Sequence, residues 1–258
     1  MKVVLLAGGY GTRISEESDL RPKPMVEIGG KPILWHIMKT YSYYGFNDFI
    51  ICAGYKQEYI KQWFANYYLN TNDVTFDYTN DGDMTIHRGK VEPWKVTVCD
   101  TGYKTMTGGR IKRIEQYVKG ETFMMTYGDG VSDININHLL EFHKSHGKIA
   151  TLSSVIRQQQ KGVLKINSVG SVQAFREKKD MDGSPINVGY MVLEPGIFDY
   201  LEDDQTVLEE GPMERLVADK QLMSYRHKGF WQCMDTLFEM RQLEAMWDSK
   251  QAPWKVWE

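Results

Sequence analysis

The chain has 258 residues, of which 42% are hydrophobic and 25% are charged, and its formal net charge at pH 7 is -3. This composition is typical of a globular protein with one sizeable core, and we expect a single domain over residues 1–258. The net charge argues against a nucleic-acid partner, because such binding draws on clustered lysine and arginine to neutralise backbone phosphates. Cys52, Cys99 and Cys233 lie far apart and outside any C-x-x-C spacing, so reduced core cysteines are predicted rather than a disulfide framework or a zinc site.

The amino-terminal segment favours a cytoplasmic protein. It carries one lysine, Lys2, and then enters a predicted strand, and no hydrophobic stretch approaches the roughly 18 residues that would suggest a membrane span. We therefore expect neither a signal peptide nor a membrane-spanning segment.

The first predicted element is a buried strand over residues 3–7 that leads into a glycine-rich loop. Glycines let a backbone turn tightly, so that several main-chain N–H groups can point at one polyanion. The candidate phosphate-binding residues here are Gly8, Gly9, Gly11, Thr12, Arg13 and Lys23. The loop has neither the G-x-G-x-x-G spacing of dinucleotide-binding proteins nor the Gly-Lys-Ser/Thr of the P-loop. The pattern indicates a nucleoside triphosphate site of another kind, and an ordinary glycine-rich turn is the alternative.

Hydrophobic periodicity predicts the elements that follow. Predicted helices start at Ile33 and stop at Gly45, span 59–67, run through 139–143 to a stop at Gly147, and span 237–247, and further strands are predicted at 49–53, 96–100, 123–127, 149–155 and 188–193. The polar segment 70–95 is expected to be a mobile or oligomer-forming excursion. Strands that alternate with helices predict an α/β fold with parallel strands and right-handed crossovers.

A family resemblance is carried by two segments near the amino terminus. These are Leu6-Ala7-Gly8-Gly9-Tyr10-Gly11-Thr12-Arg13 and Pro22-Lys23-Pro24-Met25, which resemble the signature of the sugar-1-phosphate nucleotidylyltransferases. The continuation over residues 26–39 resembles one branch of them, the glucose-1-phosphate cytidylyltransferases, which make CDP-glucose. The resemblance extends from Met1 to Lys255 and is weaker between Leu152 and Pro212. It implies a Rossmann-like nucleotidyltransferase fold with a mixed, mainly parallel central sheet flanked by helices.

A carboxylate stands at the end of one predicted strand, in the sequence Tyr127-Gly128-Asp129-Gly130. Ligands bind at the carboxyl ends of strands in open α/β sheets, and Mg²⁺ needs only one or two carboxylates beside phosphate and water. By itself an aspartate between glycines also fits a turn. The resemblance implies that Asp129 binds the metal and that Asp235 is the second metal carboxylate. The alternative for Asp235 is a helix N-cap, and Asp133 is assigned to a loop.

A second glycine-bearing loop is predicted at residues 101–110. The resemblance implies that it lies over the pyrimidine, with Thr105, Thr107 and Arg110 as candidates to read cytosine. A guanidinium can donate to the acceptors O2 and N3 of that base. Without the first loop, this segment would be interpreted as a hairpin turn.

The segments that the resemblance assigns to the acceptor depart from the family pattern. Lys179 follows Glu177-Lys178 where the family has proline, and Val188 replaces a glycine between Asn187 and Gly189. Residues 158–163 and Leu208 also differ, the latter standing where tryptophan is expected. A bulky Val188 is expected to narrow the approach of a hexose, which leaves glucose 1-phosphate as the leading acceptor and another sugar 1-phosphate or a polyol or glycerol phosphate as the alternative.

The resemblance implies a complete set of site residues. Catalytic residues are Arg13, Lys23 and Asp129; nucleotide-binding residues are Leu6, Ala7, Gly8, Gly9, Gly11, Thr12, Arg13, Thr105, Thr107, Gly108, Arg110 and Gly128; acceptor-binding residues are Lys23, Tyr127, Glu177, Lys178, Asn187 and Gly189; metal ligands are Asp129 and Asp235. The nucleotide is expected in the half before about residue 135, and the acceptor in the half after it.

The expected reaction is transfer of CMP from CTP to the phosphorylated acceptor, with Mg²⁺ as cofactor and pyrophosphate as the second product. The family resemblance implies a role in making a cell-envelope polysaccharide precursor. A nucleotide-sensing regulatory subunit of the same fold is the non-enzymatic alternative. We expect small-molecule substrates and a homo-oligomer, in which the aromatic tail Ala252–Trp257 could pack on another subunit.

Overall fold

The computed structural model describes residues 1–11, 20–80, 82–87, 89, 91–118, 120–156, 163–166, 171–176 and 184–258. Its strands are β1 (Lys2–Ala7), β2 (Glu27–Ile28), β3 (Lys31–Pro32), β4 (Asp48–Ala53), β5 (Val74–Asp77), β6 (Asp83–Ile86), β7 (Lys95–Asp100), β8 (Phe123–Tyr127), β9 (Gly130–Ser132), β10 (Ala150–Ile156), β11 (Val163–Ile166), β12 (Val172–Arg176), β13 (Pro185–Leu193), β14 (Leu222–Arg226) and β15 (Trp231–Cys233). Its α-helices are α1 (Ile33–Tyr43), α2 (Gln57–Asn70), α3 (Thr107–Arg113), α4 (Glu115–Val118), α5 (Ile136–His146), α6 (Gly211–Ala218) and α7 (Leu237–Asp248), and single 3₁₀ turns cover Lys23–Met25 and Pro195–Tyr200.

A seven-stranded sheet in the order β14-β10-β13-β8-β1-β4-β7 forms the centre of the molecule. Strand β1 is parallel to both of its neighbours, β4 and β8, and the pairs β4–β7 and β10–β14 are also parallel. Only β13 runs antiparallel to the strands on either side of it. The predicted mixed, mainly parallel sheet with flanking helices is confirmed, and the carboxyl ends of β1, β4, β7 and β8 meet at one edge.

Strand β1 is buried on both faces, as its apolar sequence predicts. Val3 and Leu5 pack into the cluster that includes Ile37 of α1, whereas Val4 packs on the opposite face with Ile111 of α3. Side chains alternate between the two faces of a strand, so one short run of aliphatic residues binds both helix layers to the sheet.

The second glycine-bearing segment is a helix start rather than a hairpin. Gly108 and Gly109 form the first turn of α3, and both of their N–H groups donate to the Thr206 carbonyl, at 2.9 and 3.2 Å. A Cβ on Gly109 would lie 2.6 Å from the backbone of Asp204. The glycines are therefore explained by close packing against residues 204–206, which a local sequence pattern does not reveal.

The carboxy-terminal aromatic residues pack within their own chain. Trp254 is fully buried and Trp257 is 9% exposed, and both rings lie near His36 of α1, with centroids 6.2 Å away in each case. The interpretation of these two residues as a contact with another subunit is wrong. Within the described residues, no helix has the length and apolar character needed to cross a membrane.

Candidate active site

A cavity of about 910 Å³ opens at the carboxyl edge of the sheet. Its volume lies near the upper end of the range for small-molecule sites, about 300–1,000 Å³. It is lined by Leu6, Ala7, Gly8, Gly9, Tyr10, Gly11, Lys23, Pro24, Lys104, Thr105, Met106, Thr107, Arg110, Tyr127, Asp129, Asn187, Gln205, Glu209, Trp231, Cys233 and Asp235. Most of the predicted site residues that the structure describes are therefore brought together in one place.

The loop after β1 is organised around the Arg110 guanidinium. Arg110 Nη2 donates to the Gly8 carbonyl at 2.9 Å, and Nη1 donates to Thr101 Oγ1 and to the Gly102 carbonyl, both at 2.8 Å. Burial lowers the pKa of Arg110, but an arginine remains charged at any physiological pH. A Cβ on Gly8 would lie 2.1 Å from Nη1, so glycine is needed for this approach. Whether Arg110 also contacts the base stays a prediction.

Lys23 lies between two carboxylates on the floor of the cavity. Its Nζ donates to Asp129 Oδ2 and to Asp235 Oδ1, each at 2.6 Å, and the residue is only 8% exposed. Burial alone would lower the pKa of Lys23, but the two carboxylates outweigh that effect and hold the pKa above its ordinary value. The flanking prolines and the 3₁₀ turn position the lysine backbone.

Two short strands bring the carboxylates together across the chain. Asp129 precedes β9, Asp235 follows β15, and these strands pair antiparallel with Cys233 opposite Gly130. The Met234 N–H donates to the Asp129 carbonyl at 2.9 Å, which joins the two segments directly beside the carboxylates. The N-cap of α7 is Thr236, whose side chain accepts from the Glu239 N–H, so the N-cap interpretation of Asp235 is wrong.

The carboxylate pair fits a divalent metal ion. Oxygens from both side chains already converge on one cationic nitrogen, and Mg²⁺ typically takes one or two carboxylates and completes its shell with phosphate and water. Among the described residues no cluster of three or more His, Cys, Asp and Glu side chains is arranged to hold a metal. The protein can therefore supply part of a coordination shell, and substrate oxygens would have to complete it.

Tyr127 and Glu209 form a hydrogen-bonded pair in one wall of the cavity. The Tyr127 hydroxyl donates to Glu209 Oε1, and Thr107 Oγ1 donates to Glu209 Oε2 at 2.6 Å. Burial and the Glu209 charge raise the pKa of Tyr127, so the phenol remains protonated and able to donate. Asn187 Oδ1 accepts from the Gly189 N–H at 2.9 Å, which orients the side-chain amide in the cavity wall.

Three predicted site glycines do not line the cavity. Gly108 packs on Thr206, and the Gly128 N–H donates to the Leu6 carbonyl at 2.9 Å. Gly189 has a φ of +82°, and a Cβ there would lie 2.1 Å from the Tyr127 ring. These glycines permit close packing of the segments around the site, and their assignment as binding residues stays a prediction.

Val188 and Leu208, two of the residues that differ from the family pattern, lie in the core. Val188 is 3% exposed and Leu208 is fully buried, and neither lines the cavity. The expectation that Val188 narrows the approach of a hexose is therefore wrong, because its side chain alternates away from Asn187 along β13. Thr12, Arg13, Glu177, Lys178, Lys179 and residues 158–162 lie outside the described residues, so their predicted roles stay predictions.

Six polar or aromatic residues of the cavity were not among the predicted site residues, namely Tyr10, Lys104, Gln205, Glu209, Trp231 and Cys233. Cys52 and Cys99 are buried core residues as predicted, but Cys233 is half-buried and its thiol donates to Asp235 Oδ2 at 3.5 Å. Burial and the neighbouring carboxylates raise the pKa of Cys233 to about 12, so the thiol is not an activated nucleophile. In the sequence, the position of Cys233 two residues before the predicted metal ligand Asp235 was the signal that could have identified it as a site residue.

The fold and the cavity define an α/β protein with a charged site at the carboxyl edge of a mainly parallel sheet. The model of the nucleotidyl transferase family matches residues 2–236, and the chain belongs to that family. It is 52% identical over 259 residues to the glucose-1-phosphate cytidylyltransferase of Salmonella typhimurium, covering 100% of both chains. It is 45% identical over 258 residues, again with 100% of both chains, to a probable glucose-1-phosphate cytidylyltransferase of Bacillus subtilis. Among solved structures, HddC from Yersinia pseudotuberculosis shares the fold, with a TM-score of 0.68, 23% identity and coverage of 95% of this chain and 99% of the other.

Proposed function

We propose that this protein transfers a CMP group from CTP to glucose 1-phosphate, giving CDP-glucose and pyrophosphate. The observation that carries the proposal is the convergence of the glycine-rich loop, Lys23 and the Asp129–Asp235 pair in one cavity. Full-length similarity to the Salmonella and Bacillus relatives supports the choice of nucleotide and sugar phosphate.

The chemistry needs no protein nucleophile. A phosphate oxygen of glucose 1-phosphate attacks the α-phosphorus of CTP in line and forms the new P–O–P bridge. The bond between the α-phosphorus and the oxygen that leads to the β-phosphate breaks, and its electron pair leaves with pyrophosphate. Because the attacking phosphate is already ionised, no general base is required, and catalysis consists of positioning and charge stabilisation.

The residues of this chain would divide that work between them. Gly8, Gly9 and Gly11 leave room for the triphosphate beside backbone N–H groups, and Lys23 would donate to phosphate oxygens next to the reacting centre. Arg110 fixes the loop through its carbonyl contacts. The predicted contribution of Arg13 belongs to the same phosphate-binding loop.

We include Mg²⁺ in the proposal, held by Asp129 and Asp235. When bound, the ion would neutralise charge on the triphosphate and on the incoming phosphate. The convergence of both carboxylates on one cation supports this assignment.

The acceptor would lie against Tyr127, Asn187 and Glu209. Carboxylate oxygens accept hydrogen bonds from sugar hydroxyls, and a side-chain amide can both accept from them and donate to them. A site that forms these bonds discriminates strongly against acceptors that lack the hydroxyls. With Val188 and Leu208 directed into the core, the wall facing the acceptor retains room for a hexose.

A cytoplasmic location and a homo-oligomer complete the proposal. The hairpin β5–β6 exposes Phe76, Tyr78 and Met84, which gives an apolar surface outside the cavity that a second copy could cover. Light scattering coupled to size-exclusion chromatography tests the oligomer: a dimer or larger species supports it, and a monomer at micromolar concentration contradicts it.

The function is tested by measuring pyrophosphate release with Mg²⁺. CTP, UTP and dTTP would each be combined with glucose 1-phosphate, and CTP would then be combined with other hexose 1-phosphates and with glycerol phosphate. We expect release with CTP and glucose 1-phosphate to exceed every other pair by at least about tenfold in kcat/KM. Preferential use of another acceptor would overturn the assignment of glucose 1-phosphate as the acceptor. No pyrophosphate release with any pair would favour a regulatory subunit.

A further inference from the structure

Asp129 and Asp235 lie close together because they adjoin the same end of a very small two-stranded sheet, β9 and β15. Strands β9 and β15 have three residues each, and their pairing places Trp231 opposite Ser132 and Cys233 opposite Gly130. A two-stranded ribbon of this length is not stable by itself in water. Its register therefore has to be fixed by contacts at its ends.

Asp133 anchors the end of the ribbon opposite to the one that carries Asp129 and Asp235. One carboxylate oxygen, Oδ1, accepts from the Phe230 N–H at 2.7 Å and from His227 Nε2 at 2.8 Å. The Asp133 N–H donates back to the Phe230 carbonyl at 3.2 Å, and Ser132 Oγ donates to the same carbonyl at 2.7 Å. These bonds attach residues 227–230 to the end of β9 directly before β15 begins.

The contacts around Asp133 are shielded from water and closely packed. The His227 side chain is 9% exposed and that of Asp133 is 31% exposed, so the pair is shielded from water on most sides. A Cβ on Gly229 would lie 2.4 Å from Asp133 Oδ1, so only glycine admits the carboxylate at this distance. The Phe230 ring stacks on Trp254 with a centroid distance of 5.6 Å, which fixes the same loop from the other side.

We propose that Asp133 is a positioning residue for the reaction centre: by fixing residues 227–230 it sets the register of β15 on β9 and thereby places Asp235 opposite Asp129. Asp133 does not line the cavity, so it acts only through the loop and the strand. The inference rests on the proposed function for its catalytic consequence, but the structural part can be tested separately.

The consequence for the site is a change in cation binding. A metal site made from two carboxylates depends on their separation, and loss of outer partners that orient ligands typically costs about 10- to 100-fold in metal affinity or activity. Asp133→Ala is therefore expected to raise the Mg²⁺ concentration for half-maximal rate about tenfold at saturating CTP. The KM for the sugar phosphate is expected to change less than about twofold, since Tyr127, Asn187 and Glu209 belong to other elements.

A second readout needs neither metal nor substrate. Cys233 lies within β15 and is half-buried, whereas Cys52 and Cys99 are buried. The rate of alkylation of Cys233 by iodoacetamide, followed by mass spectrometry of its peptide, reports how firmly β15 is docked. We expect at least about tenfold faster alkylation in Asp133→Ala.

Three further variants complete the test. Asp133→Asn retains an oxygen that can accept from Phe230 N–H and from His227, and it is expected to restore near wild-type alkylation and Mg²⁺ dependence. Asp77→Asn is the matched control, because Asp77 also accepts a backbone N–H, from Thr79 at 2.9 Å, but in an exposed hairpin. His227→Gln provides a milder break should Asp133→Ala fail to fold.

The outcomes separate the two claims. Unchanged Cys233 alkylation and Mg²⁺ dependence in Asp133→Ala, or in His227→Gln if the alanine variant does not fold, would overturn the positioning role. The role would also be overturned if Asp133→Ala impaired Mg²⁺ dependence and the KM for the sugar phosphate to the same extent and lowered the melting temperature. That pattern would indicate general destabilisation of the protein. A wild-type protein without turnover would refute the proposed function, while the alkylation comparison would still decide the role of Asp133.

Discussion

At the scale of single residues, the Arg110 guanidinium explains why the first loop requires glycine. The group lies in a pocket of backbone carbonyls, and a Cβ on Gly54 would meet Nη1 at 2.5 Å just as one on Gly8 would at 2.1 Å. The loop is therefore held in place by a buried cation that lies behind its backbone. The sequence indicated a role for these glycines, but the partner that requires Gly8 lies about a hundred residues away in the chain.

Gly8 and Gly9 form a matched pair for testing this contact. Gly8→Ala should lower the free energy of unfolding by about 2 kcal/mol, because Arg110 must leave its acceptors or the loop must shift. Gly9→Ala should be neutral or slightly stabilising, since its Cβ would meet nothing within 4 Å and its φ is not positive. Urea unfolding of the ligand-free protein measures both, and equal values for the two variants would contradict the role assigned to Arg110.

Tyr127 permits a second test at this scale. Tyr127→Phe removes the hydrogen bond to Glu209, and the carboxylate retains its bond from Thr107. Because Glu209 is exposed, a loss of about 1 kcal/mol is expected, which corresponds to about a fivefold rise in the KM for the sugar phosphate with the KM for CTP unchanged.

The matched control is Tyr200→Phe, which removes a comparable bond to Asp219 Oδ2, 2.8 Å long and outside the cavity. It should leave both KM values unchanged. A rise in the KM for CTP in Tyr127→Phe, or equal effects of the two variants, would show that Tyr127 does not serve the acceptor side.

At the scale of elements, periodicity predicted the long segments and missed the short ones. Strand β8 is found at the predicted residues, and α1 and α7 begin where their apolar spacing begins. Strand β15 has no periodic pattern, since three residues cannot show one, and it is fixed by contacts with a strand about a hundred residues earlier. For the same reason the sequence suggested Asp235 through family resemblance, but not the ribbon that positions it.

The carboxy-terminal tail gives a prediction for pH. His36 is fully buried, its Nε2 donates to the Ile28 carbonyl at 2.8 Å, and Trp254 Nε1 donates to its Nδ1 at 3.4 Å, so the two bonds together require the neutral ring with its proton on Nε2. Burial lowers the pKa of His36 to about 4 from an ordinary value of 6.5. The unfolded chain therefore binds the extra proton between pH 6.5 and 4, and stability is lost as the pH falls through that window.

Because of His36, we expect the free energy of unfolding to fall by about 2 kcal/mol between pH 7 and pH 5. His36→Gln, which can still donate to Ile28 and accept from Trp254, should remove most of the pH dependence, whereas His138→Gln at an exposed position should retain it. Urea unfolding at the two pH values measures the difference, and an identical pH dependence in all three proteins would contradict the account.

At the scale of the whole molecule, one cavity collects groups from across the chain. Gly8, Lys23 and Arg110 come from the amino-terminal half, and Asn187 and Asp235 come from the carboxy-terminal half. A parallel sheet explains this arrangement, because successive strands deliver their carboxyl ends to one edge. The fold class was predictable from the alternation of elements, but the direction of β13 and the placement of Glu209 depended on tertiary packing.

The central claim is that Lys23 and the two carboxylates form the centre at which CMP is transferred. Its most direct test is the initial rate of CDP-glucose formation from CTP and glucose 1-phosphate over a Mg²⁺ titration, for wild type, Asp129→Asn and Asp235→Asn. Asp48→Asn is the matched control, because Asp48 pairs with Lys95 at 3.5 Å away from the cavity. We predict that both site variants lose at least about 100-fold in rate at every Mg²⁺ concentration and that Asp48→Asn behaves like wild type. Wild-type rates in either site variant would contradict the claim and place the reaction centre elsewhere.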